Sequence, residues 1–167
     1  MSDYQTSDDL ADLGPTQRLA TMGIDLPEAP APAASYVGHV ATGRWIHTSG
    51  QLPVRDGELL ATGRVGDTVD LALAQDCARQ CTINVLAQFR ASGHELEDVH
   101  RIVKLTVFVA SANSFIEQHL VANGASDLLG EVFGERGRHA RAAVGVAALP
   151  LDSPVEVEAL FEVAGAG

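Results

Sequence analysis

The stretch Arg101-Ile102-Val103-Lys104-Leu105-Thr106-Val107-Phe108-Val109 decides the fold. Its β-branched and aromatic residues favour an extended chain. A period of two puts Val103, Leu105, Val107 and Val109 on one side, with Ile102, Lys104, Thr106 and Phe108 on the other. Upstream, Asp67 to Gly93 reads as one long helix. Asp70 is its N-cap, Ala74, Cys77, Ala78, Cys81 and Val85 form its apolar stripe, and Gly93 closes it at C′. Downstream, Ser114 caps a second helix through about Val132, a reading that Gly124 and Gly130 weaken. Two strands close the chain, Ala142 to Leu149 and Val155 to Val163, joined by Pro150-Leu151-Asp152-Ser153-Pro154.

Further toward the N-terminus, Tyr36-Val37-Gly38-His39-Val40 and Trp45-Ile46-His47-Thr48 flank Thr42-Gly43-Arg44, a hairpin signature in which His39 and His47 are expected to face each other. Asp56-Gly57 marks another turn. The order is therefore β-β-(β)-α-β-α-β-β: an α+β domain, one mixed sheet with two helices on one face. The other face has no cover, and the Ala- and Val-rich strand after Arg141 needs one. That predicts a homo-oligomer.

Residues 1–34 have a different character, with six acids against the single base Arg18, and four of the seven prolines. Leu26 to Pro32 is expected to run as an extended arm, Thr16 to Met22 as a short helix with Pro15 at its start, and the first dozen residues as mobile chain. We divide the chain into this acidic extension and a domain from residue 35 to 167. The 167 residues carry 11 Lys plus Arg against 22 Asp plus Glu, a formal charge of −11 that argues against nucleic-acid binding, which needs clustered bases. No run approaches a membrane span and the N-terminus lacks the signature of a secretory leader, so a cytoplasmic address is expected. Cys77 and Cys81 lie one helical turn apart and read as small buried apolar residues.

Few residues stand out as chemical. Arg141 enters an uncharged strand of small residues, where its fork suits two-point capture of a carboxylate; the alternative is a strand-end arginine reaching solvent beside Arg136, Arg138 and His139. Glu156 and Glu158 share one strand face, either solvated or set against another subunit, where a half-buried carboxylate can position or deprotonate a water. Tyr36 packs at a strand start, and Asn123 marks a turn or helix irregularity. The six histidines have no metal-ligand spacing, so no metal is expected.

In order and spacing, Thr48-Ser49-Gly50-Gln51-Leu52-Pro53, Val103 to Val109, His139-Ala140-Arg141-Ala142-Ala143-Val144, Ala148-Leu149-Pro150-Leu151-Asp152 and Val155-Glu156-Val157-Glu158-Ala159 resemble the RidA/YjgF/UK114 family. Val-Ala-Asn-Gly-Ala-Ser-Asp-Leu-Leu before Arg141 is similar to a less characterised branch of it. The resemblance implies a chorismate-mutase-like protomer, a homotrimer with sites between subunits, and hydrolysis of small carboxylate-bearing imines or enamines to a 2-oxo acid and ammonia without a cofactor. Arg141 matches the arginine that grips the substrate carboxylate, and Glu156 the glutamate that orients the attacking water. Tyr36, Gly50, Asn123 and Ala143 match positions that line the substrate pocket. The alternatives are a metabolite-binding trimer without catalysis and a pathway-specific imine-processing enzyme. Ala142-Ala143 stand where the archetype carries Ser-Cys or similar, which removes polar groups from the pocket.

Overall fold

The computed structural model describes residues 12–32 and 34–164. In chain order the elements are α1 (Pro15–Thr21), β1 (His39–Thr42), β2 (Trp45–Thr48), the short pair β3 (Val54–Arg55) and β4 (Glu58–Leu59), α2 (Leu71–Ala91), β5 (Val99–Ala110), α3 (Gln118–Val121), α4 (Asn123–Phe133), β6 (Ala140–Val146) and β7 (Val155–Val163). The main sheet runs β1-β2-β7-β5-β6, antiparallel except for the β5–β6 pair. It is the mixed sheet expected, with α2 and α4 packed on one face.

The long helix forms as its sequence dictates. The Asp70 carboxylate accepts from the Leu73 amide at 2.9 Å, and Gly93 turns the chain out at φ +90°. Ala74, Cys77, Ala78, Cys81 and Val85 are all fully buried against the sheet, and both thiols are unbridged. Phe89 stacks on Phe161 of β7 with ring centroids 4.7 Å apart, fastening helix to sheet; each such buried ring stabilises by roughly 1.5–3 kcal/mol.

Four readings of the sequence need correction. Register shifts between Val99 and Arg101 and between Ile102 and Lys104 break the alternation of β5. Ile102 is therefore buried and Val103 only half so, while Leu105, Val107 and Val109 face the helices as expected; a bulge swaps faces, which strict period-two reading cannot anticipate. The second helix begins at Gln118 rather than at Ser114, and it breaks at Ala122 into α3 and α4. Gly124 belongs there because α4 crosses α2 so closely that a Cβ would lie 2.1 Å from the Gln75 carbonyl oxygen. In the hairpin, His39 pairs with Thr48 and Val40 with His47, so the two histidines lie on opposite faces. Finally, β1 and β6 each run about two residues out of the expected register, at His39–Thr42 and Ala140–Val146.

Helix α1 starts at Pro15 as the proline suggests, and its Leu19 joins the main core. The arm beyond it has no regular structure through Pro32, and Met22, Ile24 and Leu26 pack on that core. The mobility expected of the first dozen residues falls, Asp12 aside, outside the described residues. Among the described residues no helix is long and apolar enough to cross a membrane.

Candidate active site

Arg141 is the second residue of β6, the edge strand. It aligns with Leu105 of β5, which faces the helices, so the arginine also points to the helix side. There its Nη1 donates to Asn123 Oδ1 at 3.0 Å and to Ser126 Oγ at 2.9 Å, and its Nη2 to the His119 carbonyl at 3.1 Å. His119, Asn123 and Ser126 stand at helical spacing, so one face running from α3 into the first turn of α4 presents all three to the strand end. A guanidinium has five N–H donors, so Nε–H and one Nη2–H remain along one edge. That edge has the two-point geometry of a carboxylate. Among the described residues no acid pairs with Arg141, whereas Arg44, Arg79, Arg90 and Arg138 each meet a glutamate. Among them Arg55, Arg64, Arg101, Lys104 and Arg136 likewise meet no carboxylate, so what sets Arg141 apart is the set of three acceptors that fixes its guanidinium.

Ser126 links the arginine to His139. Its oxygen lies 3.0 Å from His139 Nε2, and His139 Nδ1 lies 2.6 Å from the Gly137 carbonyl. Burial first, and then the Arg141 charge, lower the His139 pKa from the ordinary 6.5, against the opposing pull of the Gly137 carbonyl. Ala143, two residues along the same strand face, packs on the core and brings no polar group.

The acid sits elsewhere. Glu156 of β7 alternates with buried Val155 and Val157, so its carboxylate lies on the sheet face that the helices leave open. Burial first, and the neighbouring Glu158 second, raise its pKa above the ordinary 4.5. Gln51 and Val157 exchange backbone hydrogen bonds of 2.8 and 3.0 Å, which set Gly50 directly against Glu156. A Cβ on Gly50 would lie 1.8 Å from Glu156 Oε1. Gly50, Gln51, Tyr36 and Gln88 line a hollow of about 250 Å³ with Pro30 and Pro32 as its outer wall. Gln88 Nε2 donates to the Pro30 carbonyl at 2.7 Å and fixes that wall.

The family described as YjgF/chorismate mutase-like, a description that also carries an endoribonuclease label, matches residues 16–163. The chain belongs to the RidA/YjgF family. Protein TCP17 of Trypanosoma cruzi is 51% identical over 145 residues, 86% of this chain and 91% of that one. The 2-iminobutanoate/2-iminopropanoate deaminase of Escherichia coli is 39% identical over 132 residues, 79% of this chain and 90% of that one. A protein of unknown function from Agrobacterium tumefaciens superposes with a TM-score of 0.85 at 45% identity, covering 94% of this chain and 96% of that one.

In this RidA/YjgF protein, the residues singled out from sequence fall into two groups. Arg141, Asn123 and Ala143 gather on the helix side of β6; Glu156 of β7 meets Gly50, and Gly50 and Tyr36 share the hollow beside it. Arg141 lies in line with Leu105 and Ala159, whereas Glu156 lies in line with Phe108 and Val144, on the opposite face. The two groups do not meet within one chain. Sequence reasoning missed Ser126, His139 and Gln88. The spacing of Asn123 and Ser126, three apart on a helix and hence on one face, held the signal for the first.

Proposed function

We propose that the protein is an imine deaminase that hydrolyses a small carboxylate-bearing 2-imino acid or its enamine tautomer to a 2-oxo acid and ammonia. The observation that carries this reading is the open edge of Arg141, two parallel N–H donors on a cation without a counter-ion. A relative of 39% identity is named for this reaction on 2-iminobutanoate and 2-iminopropanoate.

Arg141 takes the carboxylate. Water adds to the imine carbon while one of its protons goes to the nitrogen; the carbinolamine hydroxyl then gives up its proton to that nitrogen as the C–N bond breaks, the C=O forms and ammonia leaves. Glu156, whose pKa burial raises, holds that water and passes the proton. An imine is already electrophilic, so orientation supplies much of the acceleration.

Because Arg141 and Glu156 occupy opposite faces of one sheet, the working site needs two chains. We propose a homotrimer in which the β6 edge of one subunit meets the Glu156 face of the next. Val40, Trp45 and Val144 support it as large exposed apolar residues on the face the helices leave bare. No cofactor is required, and the charge of −11 disfavours the RNA-cleaving role in the family's description. We place the protein in the cytoplasm.

The test generates 2-iminopropanoate enzymatically and follows its decay and ammonia release. Wild type should accelerate both and Arg141→Ala should not; no acceleration by wild type across several 2-imino acids overturns the deaminase reading. The apolar Ala143 beside Arg141 favours a second reading, a metabolite-binding trimer, and Arg141-dependent binding of 2-oxobutanoate without turnover would establish it.

A further inference from the structure

Three acceptors hold the Arg141 guanidinium, and one of them, Ser126, is itself held. Every proton in that arrangement can be assigned. The Gly137 carbonyl has no hydrogen, so at 2.6 Å His139 Nδ1 must carry the proton. In the neutral ring Nε2 is then an acceptor, and Ser126 Oγ, 3.0 Å away, donates to it. The serine oxygen is left as an acceptor toward Arg141 Nη1 at 2.9 Å. Donation runs one way, from Arg141 through Ser126 and His139 to Gly137, with no donor facing a donor.

We infer that Ser126 and His139 are positioning residues for Arg141, a brace from α4 to the start of β6 that fixes which guanidinium edge faces the ligand. The inference rests on the reading of Arg141 as a carboxylate clamp. Asn123 occupies the other Nη1 hydrogen one helical turn earlier. With both Nη1 donors consumed, the side-on edge of Nε–H and Nη2–H is the one left for a carboxylate. Without Ser126 one Nη1 hydrogen loses its acceptor and only Asn123 and the His119 carbonyl hold the planar group, so the edge on offer is less firmly fixed.

The brace works with a neutral imidazole. A second proton would sit on Nε2, against the Ser126 hydrogen, and would place a cation beside Arg141. The charged groups around His139 are consistent with neutrality. Arg141 lies on its own strand, and Lys104 of β5 aligns with Ala140 on the other sheet face. Asp127 on α4 is exposed, Arg138 and Glu135 pair with each other in the preceding turn, and among the described residues no carboxylate pairs with His139.

Nitrogen NMR of the imidazoles in the intact protein tests the brace without any ligand. His139 should show the Nδ1–H tautomer and a midpoint below 6.5, and Arg141→Gln should move that midpoint upward. Binding of 2-oxobutanoate supplies the second arm. Ser126→Ala should weaken it about tenfold, and Ser126→Thr, which keeps the hydroxyl, should restore it. A His139 that titrates at or above 6.5 and ignores Arg141→Gln overturns the brace, as does wild-type affinity in Ser126→Ala. If wild type fails to bind 2-oxobutanoate, the clamp reading falls, while the nitrogen shifts still decide whether Ser126 and His139 hold Arg141.

Discussion

Gly50 and Glu156 are packed so closely that only a hydrogen fits between the glycine Cα and the carboxylate, since a Cβ would lie 1.8 Å from Oε1. Gly50→Ala therefore displaces the Glu156 side chain rather than the backbone, whose position the Gln51–Val157 bonds fix. Turnover of 2-iminopropanoate should fall by about tenfold or more, while thermal unfolding stays close to wild type because the displaced group is a flexible side chain.

The position of Glu156 also makes stability depend on pH. Its folded pKa lies above the ordinary 4.5, chiefly through burial. The stability it contributes is therefore fully present below pH 4.5 and is lost as pH rises through the folded value. Glu156→Gln should unfold a few degrees higher than wild type at pH 7, and the difference should close toward pH 4. Thermal melts across that range check the sign.

Cys77 and Cys81 should be silent toward thiol reagents. Burial, followed by Asp76, pushes the Cys77 thiol up to about 11, and burial raises Cys81 further from reactivity. Since the thiolate is the reacting form, Ellman's reagent should modify neither in the native protein and both in denaturant.

Gly124→Ala tests the helix crossing that presents Asn123 and Ser126. The new methyl meets the Gln75 carbonyl oxygen at 2.1 Å, and backbone on both sides leaves it nowhere to go. Destabilisation of about 1–3 kcal/mol is expected from such overpacking, seen as a lower urea midpoint with an unchanged slope.

Subunit complementation tests the shared site. Arg141→Ala and Glu156→Gln should each be inactive alone. Unfolded together and refolded as a random mixture, they should regain about a quarter of the wild-type rate, because one junction in four receives both intact residues. Continued inactivity of the mixture would mean that the two residues act from one chain.

Most of the architecture is legible in the sequence because it follows from periodicity and punctuation. Asp70 and Gly93 bracket α2 as a cap and a left-handed exit, and Pro15 opens α1. What escapes is set by tertiary contact. The bulge at Ile102–Lys104 has no local marker, and the helix break at Ala122 depends on how α3 and α4 cross α2. The same holds for the site. Arg141 and Glu156 stand out by residue type and setting, but nothing local says that they occupy opposite faces. His139 reads as a solvent-facing neighbour of Arg138 until the fold brings Ser126 against it.

Strand β7, the last of the five in chain order, is the third of five in the sheet, with β2 on one side and β5 on the other. Until residues 155–163 leave the ribosome, the β1–β2 hairpin and the β5–β6 pair have no partner joining them, and their apolar flanks wait uncovered. Such distant pairings form slowly and leave nascent chains prone to clump. A nonsense codon anywhere before residue 155 therefore does not trim this protein; it removes the keystone, and the product should be found in inclusion bodies or cleared by proteases.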